Sequence, residues 1–274
     1  MTYREAYDEG KKLIVSDEAG TECAVLLEYV MKTDRNALFT HPERVLSEEE
    51  KNLFFELVHR RNEGVPVQYI TEKTYFYGLE FICDPSVLIP RFDTEVLVET
   101  VLKKAGKGTK MLDLCTGSGC IALSVKHERN DITVTGSDIS EKALLTAEKN
   151  KAHLALDVYF IQSDMFENIK DKYDLIVSNP PYIAREVIEG LDEKVKDFEP
   201  YNALCGGEDG YDYYRIIARE AGRFLKGESR LIMEIGYDQG VGVKNLLSAN
   251  GYKEIEIIKD LNGHDRVVSA VFGG

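Results

Sequence analysis

The sequence predicts an α/β protein in which a doubly wound, mostly parallel sheet of seven strands follows a small α-helical domain. Only helical patterns occur up to about residue 74, whereas strand and helix patterns alternate from about residue 93. Such alternation is typical of parallel strands joined by helical crossovers. The last two strand patterns have no helix between them, so the last strand should run antiparallel. We therefore expect a helical domain over residues 1–74, a β-hairpin linker over 75–90 and an α/β domain over 91–274.

Two amphipathic helices stand out in the N-terminal part of the chain. Ser47 and Glu50 form an S-x-x-E capping box, which predicts a helix start. Apolar residues then recur on one predicted face: Leu53, Phe54, Leu57 and Val58. Gly64, with Pro66 just beyond it, predicts the helix end. A similar spacing upstream predicts another helix, with its apolar residues at Leu26, Tyr29 and Val30.

The strand patterns of the remaining chain are short and regularly spaced. Aromatic and β-branched residues on both sides of Gly78 predict the hairpin linker. The seven strand patterns of the sheet are at residues 110–114, 132–136, 158–162, 173–178, 230–235, 252–258 and 266–272. Helical patterns lie at residues 121–127, 141–153 and about 213–224. Asn262 and Gly263 separate the last two strands, and this dipeptide is a strong turn signal.

Composition indicates a soluble, cytoplasmic protein. The chain has 274 residues, of which 43% are hydrophobic and 30% charged, enough for one large domain and a smaller one. No apolar run approaches the ~20 residues needed to span a bilayer, and the N-terminus lacks the pattern of a secretory signal. The cysteines are odd in number and scattered, at Cys23, Cys83, Cys115, Cys120 and Cys205. We expect reduced thiols, no metal site and no membrane partner.

The charge balance argues against a nucleic-acid substrate. The net charge is −14, from 34 basic and 48 acidic residues, and the parts before and after Thr74 are both acidic. Proteins that bind DNA or RNA usually carry a basic surface. The run His59-Arg60-Arg61 is a local exception. We therefore expect no binding of free nucleic acid.

A glycine-rich turn follows the first strand of the predicted sheet and opens a helix. Gly117, Gly119 and Ala122 match the G-x-G-x-x-G/A pattern, and the acidic Asp138 follows ~20 residues later, as in dinucleotide-binding folds. The pattern fits any ligand whose ribose lies over a strand-turn-helix crossover. A NAD-dependent dehydrogenase is therefore one interpretation.

Carboxylates at three strand ends favour a different ligand. Asp113, Asp138 and Asp164 lie at the ends of the first, second and third strands, where open α/β sheets bind ligands. Carboxylates there oppose a pyrophosphate, which prefers a helix N-terminus with no anion nearby. They suit S-adenosylmethionine, whose charged groups are cationic ammonium and sulfonium centres. Asp138 would then accept hydrogen bonds from the ribose hydroxyls.

The fourth strand ends in the segment Asn179-Pro180-Pro181-Tyr182. The prolines end the strand and hold the Asn179 side chain and the Pro180 carbonyl in one rigid arrangement. Both groups are acceptors, so together they can bind the two hydrogens of an –NH2 group and align its nitrogen with a methyl–sulfonium bond. Tyr182 offers a flat face to a planar substrate. The segment therefore predicts methylation of a planar nitrogen.

Together these motifs resemble the HemK/PrmC family, the glutamine methyltransferases of class I peptide-chain release factors. The Asn-Pro-Pro-Tyr motif alone also occurs in DNA adenine methyltransferases, but segments outside the site match the HemK/PrmC family too. These are residues 64–70, 89–95, 198–200, 203–204, 206–207 and 265–267. The resemblance covers about residues 60–270, and the first 60 match mainly in helical character.

The resemblance implies an enzyme with a Rossmann-like, S-adenosylmethionine-dependent methyltransferase domain and a helical domain that binds the release factor. The methyl group would go to the side-chain amide of the glutamine in the factor's Gly-Gly-Gln loop, a step in translation termination. By the same resemblance, residues 115–119 line the methionine part of the cofactor, Asp138 binds the ribose, Met165 borders the adenine and residues 179–182 hold the glutamine amide.

The candidate site residues are accordingly of two kinds. The candidate catalytic residues are Asn179, Pro180, Pro181 and Tyr182. The candidate cofactor-binding residues are Asp113, Cys115, Thr116, Gly117, Ser118, Gly119, Asp138, Ile139, Asp164, Met165 and Asn179. The sequence departs from the family at two positions, because Cys115 stands where glycine is usual and Phe92 where proline is usual.

Several alternatives remain at this stage. A glutamine methyltransferase of a ribosomal protein would have the same site and a different N-terminal domain. A DNA adenine methyltransferase would need a basic groove and a target-recognition domain. A dehydrogenase leaves the 179–182 segment unexplained, and a binding module without activity would be expected to have lost Asn179 or Asp138.

Overall fold

The computed structural model describes residues 1–34, 36–190 and 196–273, which form two compact units. One unit contains Met1–Lys73 together with residues 196–198 from later in the chain. The other contains the rest of the described chain. The described helices of the first unit are α1 (Tyr3–Leu13), α2 (Ala19–Met31), α3 (Ala37–Thr40), α4 (Glu48–Asn62) and α5 (Val67–Thr71).

Helix α4 begins at the predicted capping box. The Ser47 hydroxyl accepts from the Glu50 amide at 3.1 Å, and the Glu50 carboxylate accepts from the Ser47 amide at 2.8 Å. Arg61 of the same helix is buried and donates to Glu22 of α2 at 2.6 Å, which ties the two helices together. Because a buried ion pair left with one partner is costly, both residues should be required for this packing.

The predicted apolar faces of α2 and α4 were each wrong at one residue. Phe54 and other neighbours on α4 are buried, but Leu53 is 39% exposed, and Tyr29 on α2 is 43% exposed. The buried face of α4 includes Arg61 and is centred roughly 90° around the helix from Leu53, at 3.6 residues per turn. Leu53 therefore lies at the margin of the buried face of α4, whereas Arg61 lies near its centre.

A two-stranded hairpin of β1 (Lys73–Phe76) and β2 (Leu79–Ile82) follows. Its turn residues Tyr77 and Gly78 both have positive φ, 49° and 75°, as a tight hairpin turn matched to strand twist requires. The predicted hairpin is therefore present, although its strands end at Ile82 and residues 83–90 lie outside them.

The second unit is built on the predicted seven-stranded sheet. Its strands are β3 (Lys110–Leu114), β4 (Thr133–Asp138), β5 (Tyr159–Gln162), β6 (Tyr173–Ser178), β7 (Leu225–Glu234), β8 (Tyr252–Lys259) and β9 (Asp265–Phe272). They lie in the order β5-β4-β3-β6-β7-β9-β8. The predicted α/β class and the antiparallel last strand are confirmed, since β9 runs antiparallel to both β7 and β8.

Helices cover the sheet and pack two apolar clusters against it. The described helices of this unit are α6 (Glu95–Lys104), α7 (Cys120–Glu128), α8 (Glu141–Leu154), α9 (Arg185–Glu189), α10 (Tyr201–Leu204), α11 (Asp212–Glu220) and α12 (Gly240–Ala249). Short 3-10 turns at Phe92–Thr94 and Ala221–Arg223 precede α6 and follow α11. None of the helices in the described part of the chain has the length and apolar character needed to cross a membrane.

The sheet register brings the functional segments to one edge. Leu114, at the end of β3, lies between Ser137 of β4 and Ser178 of β6. Ser178 in turn pairs with Met233 of β7, so the residues that follow these strands leave the sheet side by side. Strand β7 begins earlier than predicted because its polar start, with Lys226 bound to Asp174 at 2.9 Å, carries no apolar strand pattern.

Candidate active site

A cavity of about 460 Å³ lies at the carboxyl edge of the parallel strands. Its size falls within the usual range for small-molecule sites, about 300–1,000 Å³. Ten of the candidate residues line it: Cys115, Thr116, Gly117, Ser118, Asp138, Ile139, Asp164, Met165, Asn179 and Pro181. The other candidates, Asp113, Gly119, Pro180 and Tyr182, are not among the residues that line it.

The turn between β3 and α7 has a backbone that only glycine adopts readily. Gly117 and Gly119 have φ of +55° and +78°. A Cβ on Gly119 would lie 3.0 Å from Phe160 and 3.3 Å from Ala147, so the turn packs closely on its neighbours. Cys115, where the family resemblance expects glycine, also has a positive φ of 62°. A left-handed conformation costs an L-residue about 1–2 kcal/mol, so this position carries strain.

Asp113 supports the turn from below. It is fully buried, and its Oδ2 accepts from the Thr116 hydroxyl at 2.6 Å. Burial raises the pKa of Asp113 to about 7, against the opposing effect of the Thr116 hydroxyl. The structure therefore places this carboxylate behind the cavity wall and in contact with a lining residue, Thr116.

Asp138 holds the two loops that border the cavity. Its carboxylate accepts from the amides of Gly117 and Ser140, both at 2.9 Å, so it joins the glycine turn to the start of α8. Burial raises the pKa of Asp138, while these amides favour its charged form. Each carboxylate oxygen has a further lone pair, so Asp138 can still accept from a ligand hydroxyl.

The neighbouring wall is formed by the turn after β5. Asp164 and Met165 line the cavity there, and Met165 has a φ of +44°. The Ser163 hydroxyl donates to the Met165 carbonyl at 2.9 Å and holds this turn in place. Asp138 and Asp164, from different strand ends, thus line the same cavity.

The donor set of the cavity fits S-adenosylmethionine. Asp138 and Asp164 present carboxylates to the cavity, and the buried Asp113 adds a third just behind its wall. Among the described lining residues the cationic one is Arg91, which is held in an ion pair by the buried Glu199. Because this cation is already neutralised by Glu199, the negative charge of the carboxylates prevails in the cavity. Negative charge attracts an ammonium and a sulfonium and disfavours a diphosphate.

Asn179 lies at the edge of this cavity with its side chain oriented by Thr94. The Asn179 Nδ2 donates to Thr94 Oγ1 at 3.3 Å, which leaves the acceptor Oδ1 available to a ligand. Thr94 also lines the cavity and belongs to the turn before α6. Two segments far apart in the sequence thus orient one acceptor.

Tyr182 is bound through both its side-chain hydroxyl and its backbone carbonyl. Its hydroxyl donates to Glu234 Oε1 at 3.2 Å, and its carbonyl accepts from Gln239 Nε2 at 3.1 Å. Burial raises the pKa of Tyr182, and the neighbouring Glu234 carboxylate acts in the same direction. This hydroxyl is therefore a donor within the fold.

Gly206 supports the Asn-Pro-Pro-Tyr segment from behind. The Gly206 amide donates to the Ile183 carbonyl at 2.8 Å, and the Ile183 amide donates to the Leu204 carbonyl at 3.0 Å. A Cβ on Gly206 would lie 2.7 Å from Tyr182 Cα and 2.9 Å from the Pro181 carbonyl. The residue must be glycine for these backbones to approach so closely.

Several residues of this region were missed as site residues by the sequence analysis. Thr94, Arg91 and Glu199 lie in segments that were matched to the family but given no role. Glu234 ends an apolar strand pattern, Leu231-Ile232-Met233, and a carboxylate at such a position is the signal that could have identified it. Its neighbours Thr94 and Tyr182 lie on other segments, so no local sequence pattern connects them to it.

The fold and cavity together define a class of protein. A seven-stranded sheet whose last strand lies antiparallel between β7 and β8, with an acid-lined cavity beside a glycine turn, is the architecture of an S-adenosylmethionine-dependent methyltransferase. A crystal structure of a methyltransferase from Pyrococcus furiosus has this fold, with a TM-score of 0.57 at 17% identity over 76% of this chain and 94% of that one.

Two family models match the chain, one in each unit. The "Methyltransferase small domain" matches residues 91–192, and the "PrmC N-terminal domain" matches residues 5–71. The second match reaches the N-terminal region, whose first 60 residues resemble the family mainly in their helical character. The chain thus combines a methyltransferase domain with a PrmC-type N-terminal domain.

Full-length relatives give the same assignment. The release factor glutamine methyltransferase of Clostridium acetobutylicum is 42% identical over 257 residues, 91% of this chain and 90% of that protein. That of Koribacter versatilis is 38% identical over 275 residues, 98% of each chain. The chain belongs to the release factor glutamine methyltransferase family.

Proposed function

We propose that this enzyme transfers a methyl group from S-adenosylmethionine to the side-chain amide nitrogen of the glutamine in the Gly-Gly-Gln motif of class I peptide-chain release factors. Because release factors act in translation, we also place this activity in the cytoplasm. The observation that carries the proposal is the Asn179 side chain, whose amide nitrogen is bound by Thr94 while its Oδ1 is left to accept a substrate N–H at the cavity edge.

The chemistry needs orientation more than a strong base. When bound, S-adenosylmethionine supplies a methyl group on a positively charged sulfur. The nitrogen of an amide is a weak nucleophile, because its lone pair is delocalised into the carbonyl group. The acceptors are Asn179 Oδ1 and, as the sequence predicts, the Pro180 carbonyl. They bind the N–H groups of the substrate more strongly as these become acidic on methylation. Such acceptors stabilise the transition state selectively.

Cofactor binding is assigned to other lining residues of the same cavity. Asp138 accepts from backbone amides and retains lone pairs for the ribose hydroxyls. Residues 115–118 and Asp164 line the part of the cavity beside it, where carboxylate charge suits the cationic methionine portion. Met165 is assigned to the border of the adenine.

The helical unit, Met1–Lys73 with residues 196–198, is assigned to the release factor. The support is its match to the PrmC N-terminal domain, which is a separate module from the methyltransferase domain. A protein substrate needs a larger contact than a single glutamine side chain can provide, since stable interfaces bury about 1,200–2,000 Å². We assign that contact to this unit and exclude free nucleic acid as the substrate.

The test combines mass spectrometry with one pair of variants. Release factors, total ribosomal proteins and duplex DNA are each incubated with the enzyme and methyl-labelled S-adenosylmethionine. Label on the Gly-Gly-Gln glutamine supports the proposal, whereas label only on a ribosomal protein or on adenine would refute it. Asn179→Ala should abolish transfer while S-adenosylmethionine still binds. Asn262→Ala, the same change at an exposed turn, is the matched control and should leave transfer intact.

A further inference from the structure

Glu234 is a buried carboxylate directly behind the Asn-Pro-Pro-Tyr segment. It ends β7, next to the strand from which Asn179 emerges, and is 2% exposed. Its Oε1 accepts from the Tyr182 hydroxyl at 3.2 Å. Its Oε2 is buried and has no hydrogen-bond partner of good geometry among the described residues. A buried carboxylate oxygen without a partner is costly, so this atom calls for an explanation.

The Thr94 hydroxyl supplies that explanation. It lies beside the Glu234 carboxylate and favours the charged form of that group. The same hydroxyl oxygen accepts from Asn179 Nδ2 at 3.3 Å. Since a threonine hydroxyl has one hydrogen, acceptance from Asn179 leaves that hydrogen free to point at Glu234.

An ionised carboxylate can only accept hydrogen bonds. A charged Glu234 therefore requires that Thr94 and Tyr182 both direct their hydroxyl hydrogens towards it. Thr94 must then accept from Asn179, and Asn179 must present its Oδ1, not its amide nitrogen, to the cavity. The charge on Glu234 therefore sets the direction of each hydrogen bond among Asn179, Thr94, Glu234 and Tyr182.

We propose that Glu234 is a positioning residue for methyl transfer. Through Thr94 it holds the Asn179 side chain with its acceptor oxygen facing the substrate amide. Through the Tyr182 hydroxyl it holds the other end of the same segment. This inference rests on the proposed function, because it assigns a role within the amide-binding site. Glu234 is not among the described residues that line the cavity, so its effect on the substrate would pass through Thr94 and Tyr182.

The surroundings of Glu234 make its charge sensitive to pH near neutrality. Burial raises the pKa of Glu234 to about 7, against the lowering effects of the Thr94 hydroxyl, the Arg266 guanidinium and the Tyr182 hydroxyl, while Asp93 raises it. Arg266 itself is bound by Asp93 at 3.0 Å and by Asp260 at 3.1 Å.

Two further groups face Glu234. The Tyr214 hydroxyl donates to the Glu234 backbone carbonyl at 3.2 Å, and the thiol of Cys120 lies within electrostatic range. Neither competes for the carboxylate oxygens. The acceptor form of Glu234 is present above its pKa and is lost as the pH falls through about 7. Turnover should therefore fall on acidification through the same range.

Three variants and one control variant test the positioning role of Glu234 in the complete enzyme. Glu234→Gln keeps the shape but replaces one acceptor oxygen with a donor, and Thr94→Val removes the connecting hydroxyl. Each should lower kcat by about 10- to 100-fold, the effect of misaligned reacting groups. The Kd for S-adenosylmethionine should stay within about twofold of the wild-type value. Thr94→Ser retains the hydroxyl and should restore most of the activity.

Thr100→Val is the matched control for Thr94→Val. Thr100 is also buried, and its hydroxyl donates to the Val96 carbonyl within α6 at 2.8 Å. It should show the stability cost of the substitution without the loss of kcat. If Thr94→Val and Glu234→Gln match Thr100→Val in kcat, the proposal is wrong. The wild-type kcat should rise with pH around 7, and Glu234→Gln should lack this rise.

A measurement without substrate separates this inference from the proposed function. The side-chain amide signals of Asn179 in 15N-labelled enzyme, assigned with Asn179→Ala, should shift with pH around 7 in the wild type. They should not shift in Glu234→Gln or Thr94→Val. Signals that are insensitive to pH in the wild type would overturn the inference. An enzyme that shows the titration but leaves release factors unmethylated would instead refute the proposed function.

Discussion

The close contact of Gly206 with the backbone of residues 181 and 182 leads to a test of how rigidly the amide site must be held. In Gly206→Ala the new Cβ would lie 2.7 Å from Tyr182 Cα and 2.9 Å from the Pro181 carbonyl. Carbon atoms pack at about 3.5–4.0 Å, so the segment must move by roughly 0.8 Å to relieve the shorter contact. Backbone atoms cannot rotate away as the end of a flexible side chain can.

This displacement should reduce turnover much more than cofactor binding. A shift of about 1 Å in the reacting groups can lower the rate about 100-fold, which corresponds to ~2.7 kcal/mol in the activation free energy. Asp138 and the glycine turn lie on other strand ends, so the Kd for S-adenosylmethionine should change less than threefold. The assay is transfer of labelled methyl groups to a release factor, with calorimetry for the cofactor.

Gly106→Ala is the matched control for this substitution. A Cβ on Gly106 has its nearest neighbour at 3.8 Å, the Thr109 hydroxyl, which is an ordinary contact. It should have wild-type kcat. If Gly206→Ala is folded, as judged by its thermal melt, and still has wild-type kcat, then the segment tolerates displacement. The interpretation that Asn179 must be held in one rigid arrangement would then be wrong.

Three further outcomes are expected. Cys115→Gly should be more stable than Cys115→Ala by about 1 kcal/mol in denaturant melts, because both lose the sulfur but only glycine accepts the φ of 62° without strain; equal stabilities would remove the strain argument. Asp138→Ala should weaken S-adenosylmethionine binding by about 1–3 kcal/mol, the scale of a charged hydrogen bond, and calorimetry with no loss would exclude Asp138 from the site. Deletion of residues 1–73 should raise the KM for the release factor far more than that for the cofactor; an equal rise in both would count against docking by this unit.

Much of the fold could be predicted from the sequence because its causes are local. The capping box at Ser47, the Asn262-Gly263 turn and the alternation of strands and helices each depend on neighbouring residues. The class of ligand could also be predicted, since Asp138 and Asp164 follow parallel strands that must end at the same edge of a sheet. The apolar pattern failed at Leu53, which is exposed at the margin of the buried face, and it gave no sign that the polar pair Arg61 and Glu22 is buried between α4 and α2.

The sequence by itself determined that the chain is an α/β methyltransferase with an acceptor at Asn179, because the strand pattern and the motifs that follow it are written in consecutive residues. Only the tertiary structure decided which way that acceptor points, because its partner Thr94, and Glu234 beside Thr94, lie on other segments. It also decided that Asp113 lies behind the cavity wall and that Gly206 supports the prolines. Hydrogen-bond direction and close backbone contact are relations between distant residues, and these exist only once the sheet has brought its strand ends together.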